Sequence, residues 1–188
     1  MWALVGLIIL YKKRSMRIFI DMDEVIADTY QQHINVHNQK YGTNFTKADC
    51  YGKEFWMCVA EKYQQEVRDH AYQKGFFKDI PVIGNAVEVI KELEAKHEVF
   101  IASAAMQFPN SLQEKSEWLD QHLPFITWKN RILCGHKHIL KGDVLIDDRS
   151  YNLQHFEGRG IQFTSPHNVH TTDFERADDW NTIASLLL

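Results

Sequence analysis

The chain has 188 residues, of which 45% are hydrophobic and 24% are charged, and its formal net charge is −4. This ordinary globular mixture argues against a disordered chain, a collagen-like chain and a disulfide scaffold. The mild acidity argues against a nucleic-acid polymer as partner but allows a small phosphorylated ligand. The three cysteines, Cys50, Cys58 and Cys134, form no C-x-x-C pair, so we expect free thiols in a cytoplasmic protein.

The first fifteen residues differ in character from the rest of the sequence. Ten apolar residues, 2–11, are followed by the basic residues 12–14. A membrane-spanning helix needs about 20 residues, and a signal peptide carries its charge before the apolar run, so we expect no stable membrane insertion. Three interpretations remain: a weak interfacial anchor, a terminal helix packed on the domain or a partner, and an upstream translation start. We favour the last, with Met16 as the working initiator.

The rest of the chain alternates between strand-like and helix-like segments. In chain order they are strand 18–22, helix 25–41, helical stretch 58–73, helix 86–96, strand 98–102, helix 111–122, strand 131–134, strand 143–146, strand 161–163 and helix 177–187. Gly42 should stop the first helix, and Glu114 should complete a capping box with Asn110 or Ser111. The alternation predicts an α/β fold of three layers with a mostly parallel sheet.

Pairs of acidic residues follow two of the predicted strands. Asp21 and Asp23 follow the first strand, and Asp147 and Asp148 follow strand 143–146. Ligands of such sheets bind outside the carboxyl ends of the strands, where these carboxylates would converge. Crowded like charges are costly unless a cation neutralises them, and oxygen ligands of this kind suit Mg²⁺. The alternative to a metal site is that both acidic pairs are simply solvated strand ends. The occurrence of two such pairs in this pattern argues against that alternative.

Two further side chains would lie near these carboxylates. Ser103 follows strand 98–102, and Lys137 lies in a polar loop. Each is a weak signal alone, but together they supply a hydroxyl donor and a cation for a phosphate group.

The ordered set of these residues resembles the four motifs of the haloacid dehalogenase-like phosphohydrolases, and most closely their 5'(3')-deoxyribonucleotidase branch. The segments that carry the resemblance are IDMDEVIAD (20–28), GFFKDIPVIGNAVEVIKEL (75–93), VFIAS (99–103), LIDDRSYN (145–152), FTSPHN (163–168) and ADDW (177–180). The resemblance implies a Rossmann-like core with a small α-helical cap inserted after the first strand. It implies a core of residues 16–30 and 81–188 and a cap of residues 31–80, with residues 1–15 outside the fold.

The resemblance implies a phosphatase that hydrolyses deoxynucleoside or nucleoside monophosphates to nucleoside and phosphate. Asp21 would be the nucleophile that forms an aspartyl-phosphate. Asp23 would protonate the leaving hydroxyl and then activate water. Ser103 and Lys137 would bind the phosphate, and the family spacing favours Lys137 over its rival Lys141.

The resemblance also implies Mg²⁺ as the cofactor. Its ligands would come from Asp21, the backbone carbonyl of Asp23, and the pair Asp147 and Asp148. The sequence does not decide which member of that pair binds the metal directly.

The segment 43–80 is rich in aromatic residues, and four of them are candidates for substrate binding. Phe55, Trp56, Phe76 and Phe77 would either stack on a base or form the core of the cap. Both interpretations remain open from the sequence.

Three positions depart from the relatives, and the last two bear on substrate choice. Glu24 stands where many relatives have glycine, Ala104 and Ala105 replace a Ser-Pro of the animal nucleotidases, and Gly135 replaces an arginine. The last two changes remove polar contacts near the substrate. The alternatives are therefore a phosphatase of another small phosphoester, such as a sugar phosphate, and a non-catalytic binding protein on the same fold. We expect a small phosphomonoester as partner, and the sequence leaves the oligomeric state open, a homodimer included.

Overall fold

Parallel strands form one central sheet in the computed structural model, which describes residues 15–188. The strands are β1 (Arg17–Ile20), β2 (Glu98–Ser103), β3 (Arg131–Leu133), β4 (Val144–Asp147), β5 (Arg159–Phe163) and β6 (Glu175–Ala177). Their order is β3-β2-β1-β4-β5-β6, and each neighbouring pair is parallel. The predicted parallel sheet is confirmed, and β1 lies near its middle.

Helices cover both faces of this sheet. The α-helices of residues 15–188 are α1 (Thr29–Tyr41), α2 (Phe55–Cys58), α3 (Glu61–Asp69), α4 (Ala86–Glu94), α5 (Ser111–His122), α6 (Ser150–Leu153) and α7 (Trp180–Leu187). Successive side chains of a strand point to opposite faces. Ile18 and Ile20 accordingly pack in one apolar cluster with α4, α5 and α7, whereas Phe19 packs in a second cluster with α6. The three-layer α/β architecture is therefore confirmed.

Helices α1, α2 and α3 follow β1 and precede β2 in the chain, and they surround a third apolar cluster. Its buried members are Tyr30, Ile34, Cys50, Phe55, Val59 and Val67. The chain enters and leaves this region at adjacent points, because the Asp28 N–H donates to Pro81 O and the Ile83 N–H to Ile26 O, both at 2.8 Å. A cap domain at 31–80 stays a prediction, and these paired connections lie close to its expected limits.

Helix α1 begins later than the apolar pattern predicts. The preceding residues form a turn in which Glu24 has a φ of 61°. Asp28 then caps the helix, since its side chain accepts from the Gln31 N–H at 3.0 Å. The predicted stop is confirmed, because Gly42 ends α1 in the left-handed region at φ 63°.

The expected capping box of α5 is wrong, although the helix has the predicted bounds. Asn110 is the N-cap and makes no side-chain capping bond. Glu114 reaches away from its own helix instead: its Oε1 accepts from the Gly75 N–H at 2.6 Å and its Oε2 from the Phe77 N–H at 3.1 Å. This buried carboxylate therefore ties α5 to the end of the segment 43–80.

Two further boundaries differ from expectation. The predicted helical stretch 58–73 consists of α3 and a 3-10 turn at His70–Tyr72. The start of the predicted helix 177–187 belongs to β6, and α7 begins only where the Asp179 carboxylate accepts from the Thr182 N–H at 2.7 Å. β6 was not expected, because a strand of three residues is too short to show a recognisable alternation of apolar and polar residues.

The interpretations of the apolar run 2–11 lie outside the described residues. Within 15–188, no helix is both long enough and apolar enough to cross a membrane. Cys50, Cys58 and Cys134 are free thiols, as expected.

Candidate active site

The carboxyl edge of the sheet gathers the polar residues that the sequence singled out. Asp21 directly follows β1, Ser103 ends β2, Asp147 ends β4, Asp148 follows it, and Lys137 lies in the turn after β3. The backbone N–H of Asp21 donates to Ile146 O at 2.9 Å, which fixes the end of β1 against β4. Strands far apart in sequence thus place carboxylates, a hydroxyl and a cation together.

Asp21 is buried beside a buried lysine, Lys137. Its Oδ1 is 2.7 Å from Lys137 Nζ, which is also 2.6 Å from Asp147 Oδ2. Burial raises the pKa of Asp21 to about 7, against the opposing effect of Lys137. Burial alone would lower the pKa of Lys137, but Asp21 and Asp147 outweigh burial and raise the pKa above its ordinary value. The lysine therefore stays cationic. Lys137 is therefore in place to stabilise negative charge next to Asp21.

Asp23 has a different environment from Asp21. Its Oδ2 forms an ion pair with Lys115, and its Oδ1 accepts from Thr29 Oγ1 at 3.0 Å. Burial alone would raise the pKa of Asp23, but Lys115, with smaller contributions from Thr29 and Lys137, lowers the pKa below its ordinary value. The two carboxylates of the D-x-D motif thus have pKa values shifted in opposite directions, which suits two different roles.

Lys115 is a site residue that the sequence reasoning missed. It is 1% exposed, and its Nζ also donates to Ser103 Oγ at 2.9 Å. The signal was present in α5, whose buried positions are Ser111, Glu114, Lys115, Trp118 and Leu119. Charged residues on the apolar face of an amphipathic helix need buried partners, so this spacing could have indicated a polar site.

Three carboxylates form a compact cluster. Asp21, Asp147 and Asp148 each offer an oxygen within 4.8 Å of the others. Asp147 is already fully engaged, because its Oδ1 accepts from the Arg149 N–H at 2.9 Å and from Asn152 at 3.0 Å, and its Oδ2 accepts from Lys137. Asp21 Oδ1 is engaged as well, because it accepts from the Met22 N–H at 2.7 Å and pairs with Lys137, so Asp148 and the second oxygen of Asp21 are the more available ligands.

Asp148 carries a buried oxygen without a hydrogen bond. Its Oδ2 lies 3.1 Å from Arg149 Nε and 3.3 Å from His167 Nε2, but neither contact is aligned as a hydrogen bond. Burial raises its pKa well above the usual range. The Asp148 carbonyl is held by Asn168 Nδ2 at 2.8 Å and by Gln162 Nε2 at 3.2 Å. The backbone is thus fixed while one carboxylate oxygen stays available.

These observations fit a divalent cation at the acidic cluster. A buried oxygen without a hydrogen bond is costly, and so are crowded carboxylates; a hard cation would relieve both. Among residues 15–188 this is the group of three acidic, histidine or cysteine side chains that could hold a metal. The Asp23 carboxylate is instead bound to Lys115. A metal contact through the Asp23 carbonyl stays a prediction.

Glu24 occupies a backbone position that favours glycine. Its φ of 61° lies in the left-handed region, which glycine adopts without strain and other residues rarely adopt. The side chain compensates, because one oxygen accepts from the Tyr30 N–H and the other from Ser165 Oγ at 3.0 Å. Burial raises the pKa of Glu24 to about 8.

One ion-paired arginine links the acidic cluster to the helices above it. Arg149 lies beside Asp148 and also pairs with Glu54, the residue before α2. Neither Arg149 nor Glu54 was a predicted site residue, since nothing in the sequence indicates that they meet.

A cavity of about 580 Å³ lies over the site, and the four candidate aromatics are placed differently around it. Its lining includes Phe55, Trp56 and Phe77 together with four of the motif residues, Asp21, Asp23, Lys137 and Asp148. Phe76 does not line the cavity and packs in the main apolar cluster. Phe55 and Phe77 line it while also being buried in apolar clusters, whereas Trp56 is only partly buried and stacks on Arg68, 3.5 Å from ring centre to guanidinium.

Comparison with known proteins identifies the family. The family model described as "5' nucleotidase, deoxy (Pyrimidine), cytosolic type C protein" matches residues 14–188. The chain belongs to this family. It is therefore a phosphomonoester hydrolase, and the resemblance drawn from the motifs is confirmed.

Two relatives agree with this assignment, and a solved structure shares the fold. The 5'(3')-deoxyribonucleotidase of Bacillus subtilis is 36% identical over 174 residues, which cover 91% of this chain and 98% of the relative. A Staphylococcus epidermidis protein with a provisional name of the same kind is 38% identical over 167 residues, or 89% and 93% of the two chains. The provisionally named HAD hydrolase YfnB of Bacillus subtilis, solved with bound magnesium, shares the fold at 12% identity. Its TM-score is 0.56, and the match covers 93% of this chain and 99% of YfnB.

Proposed function

We propose that the protein hydrolyses deoxyribonucleoside monophosphates to nucleoside and phosphate with Mg²⁺ as cofactor. The observation that carries this proposal is the pair Asp21 and Asp23 at the floor of a cavity with aromatic walls. The name of the Bacillus subtilis relative supports the same substrate class. A cytoplasmic location stays a prediction.

The cavity supports a substrate larger than a bare phosphate. Its volume of about 580 Å³ falls within the range of roughly 300–1,000 Å³ of pockets that bind small organic ligands. Charged groups lie at the sheet edge, while Trp56 and Tyr72 lie on walls built by the segment 43–80. A phosphate at the sheet edge would therefore leave its nucleoside among aromatic rings, where a base can stack.

In the first chemical step, an Asp21 oxygen attacks phosphorus and the bond to the ester oxygen breaks. An aspartyl-phosphate forms, and the leaving oxygen takes a proton from Asp23. The arriving phosphate brings negative charge beside Asp23, which raises the proton affinity of that carboxyl and allows it to carry the proton. Lys137 lies next to the Asp21 carboxylate, where it offsets charge on the transferring group.

In the second step, water attacks the phosphorus of the aspartyl-phosphate. Asp23 is now ionised and accepts the proton of this water, and Asp21 leaves as a free carboxylate. The ion pair with Lys115 supports this ionised form of Asp23. Phosphate is released and both aspartates return to their starting state.

Asp21 and Asp148 are the residues that would hold the metal directly, with Asp147 supporting them. This division follows from the hydrogen bonds, which occupy Asp147 and leave Asp148 Oδ2 without one. When bound, Mg²⁺ supplies positive charge that lowers the cost of bringing a phosphate dianion to these carboxylates.

A substrate panel tests the proposal. We would measure phosphate release from deoxynucleoside and nucleoside 5'- and 3'-monophosphates, from sugar phosphates and from p-nitrophenyl phosphate, with Mg²⁺ and with a chelator. We expect the highest kcat/KM for a deoxynucleotide and loss of activity with the chelator. A preference for sugar phosphates would overturn the proposed substrate while keeping the enzyme class.

A further inference from the structure

Lys115 is a buried cation that bridges two strand ends of the site. It projects from α5 and touches Asp23, two residues beyond Asp21, and Ser103, the last residue of β2. Its Nζ also lies 4.8 Å from the centre of the Phe77 ring. None of the four motifs that the sequence carries includes this lysine.

The burial of Lys115 is poorly explained by stability alone. Removing an ammonium group from water is costly, and a well-packed apolar side chain in place of a buried ion pair is often as stable or more stable. A position on the apolar face of α5, between Ser111 and Trp118, would ordinarily hold such a side chain. The partners of Lys115 are instead two groups that serve the proposed reaction.

We propose that Lys115 is a positioning residue for hydrolysis, whose ammonium fixes the Asp23 carboxylate and the Ser103 hydroxyl in their places beside Asp21. This inference rests on the proposed function, because it gives Asp23 the proton transfers. Thr29 donates to the other oxygen of the same carboxylate, so Asp23 is held from two sides. Without the lysine, Asp23 loses one of its two supports and Ser103 loses its donor.

This role predicts a loss that depends on the leaving group. An alkoxide such as the sugar oxygen of a nucleotide needs the proton that Asp23 supplies, whereas p-nitrophenolate leaves without one. Disturbing the position of Asp23 should therefore slow nucleotide hydrolysis much more than p-nitrophenyl phosphate hydrolysis. A general loss of packing would slow both substrates together.

The test is a double-mutant cycle of Lys115→Met and Asp23→Asn. We would measure kcat and KM on a deoxynucleotide, a sugar phosphate and p-nitrophenyl phosphate, with thermal unfolding of each variant. Lys115→Met should lower kcat for the alkyl esters by about 100-fold, in the range of positioned acid–base groups, and for p-nitrophenyl phosphate by only a few-fold. The double variant should be no slower on alkyl esters than Asp23→Asn alone, because residues that act together are not additive.

Matched variants separate the possible causes. Lys141→Met removes an exposed lysine in the loop before β4 and should change none of these values. Lys115→Arg keeps the charge and should recover part of the lost kcat; it also provides the test if Lys115→Met does not fold.

Several results would overturn the role of Lys115. The first is an equal loss of kcat on alkyl and nitrophenyl esters in Lys115→Met. The second is a double variant whose kcat falls below that of Asp23→Asn by the full factor that Lys115→Met causes alone. The third is full activity of Lys115→Met. A wild-type enzyme that prefers sugar phosphates would overturn only the proposed substrate. The double-mutant cycle would still test Lys115, because a sugar phosphate and a deoxynucleotide are both alkyl esters.

Discussion

Lys137 stands between two carboxylates, and this position makes it the lysine on which phosphate chemistry should depend. Lys137→Met leaves Asp21 and Asp147 crowded without their shared cation. We expect kcat to fall by about 100-fold or more, the loss typical of removing a group that stabilises transition-state charge. Steady-state kinetics on the preferred nucleotide measures this loss, and Lys141→Met is the matched control. Equal losses in the two variants would contradict the assignment of Lys137.

The titration of Glu24 should be visible in protein stability. Burial raises its folded-state pKa to about 8 from an ordinary value of 4.5, so the folded protein binds this proton more tightly than the unfolded chain. Wild-type stability should therefore decline as pH rises from about 4.5 to about 8, and this component should be flat above that window.

Glu24→Gln removes this titration while keeping an acceptor for the Tyr30 N–H. The melting temperature of the variant relative to wild type should rise across the same pH window. Thermal unfolding with a chelator present measures the difference, and Glu88→Gln, on the exposed side of α4, is the control. Parallel pH profiles for wild type and Glu24→Gln would show that Glu24 is ionised in the fold.

Helix α2 presents Trp56 to the cavity, and this residue offers the clearest test of base stacking. Trp56→Ala should lower kcat/KM for a deoxynucleotide by about tenfold, since stacking on an aromatic ring is worth about 1–3 kcal/mol. Hydrolysis of p-nitrophenyl phosphate should change little. Phe77 is less suited to this test because it is 1% exposed and belongs to the main apolar cluster.

The control for this prediction is Tyr51→Ala, which removes an exposed ring of the same segment that does not line the cavity. A fall on both substrates in Trp56→Ala would mean that the ring supports the helices. No fall on either would place the base elsewhere in the cavity.

Helix α5 shows which properties the apolar periodicity of a sequence predicts and which it does not. The spacing of apolar residues predicted its bounds correctly, because amphipathic spacing is a local property. The functions of Glu114 and Lys115 were missed, since their partners are at residues 75–77 and at Asp23, and sequence spacing carries no information about such distant contacts. The capping box failed for the same reason: a distant pair of backbone N–H groups binds Glu114.

At the scale of the whole molecule, the topology accounts for what the sequence could predict. Alternating strands and helices imply a parallel sheet, and in such a sheet residues after each strand converge on one edge. That rule places Asp21, Ser103 and Asp148 together without any knowledge of the loops. Arg149 and Glu54 could not be predicted in this way, because their contact depends on how the helices of 43–80 lie over the edge.

Metal binding should stabilise the whole fold. A ligand at 100 times its Kd that binds only the folded state adds about 2.7 kcal/mol, which for a domain of this size is a rise of about 5–10 °C in Tm. We expect Mg²⁺ to produce such a rise in wild type and in Asp173→Asn, an exposed control. Asp148→Asn should abolish it without lowering the Tm of the metal-free protein, since it removes a crowded charge. An undiminished rise in Asp148→Asn would exclude this carboxylate as a ligand.

The central claim is that Asp21 is the nucleophile that accepts the phosphoryl group, and trapping the phosphorylated Asp21 tests this claim most directly. The enzyme would be mixed with a deoxynucleotide and Mg²⁺, quenched in acid during turnover and digested for mass spectrometry. We predict one added phosphoryl group on the peptide that contains Asp21, removable by hydroxylamine, and neither adduct nor turnover in Asp21→Asn. Turnover by wild type with the phosphoryl group on another residue, or sustained turnover by Asp21→Asn, would contradict the account.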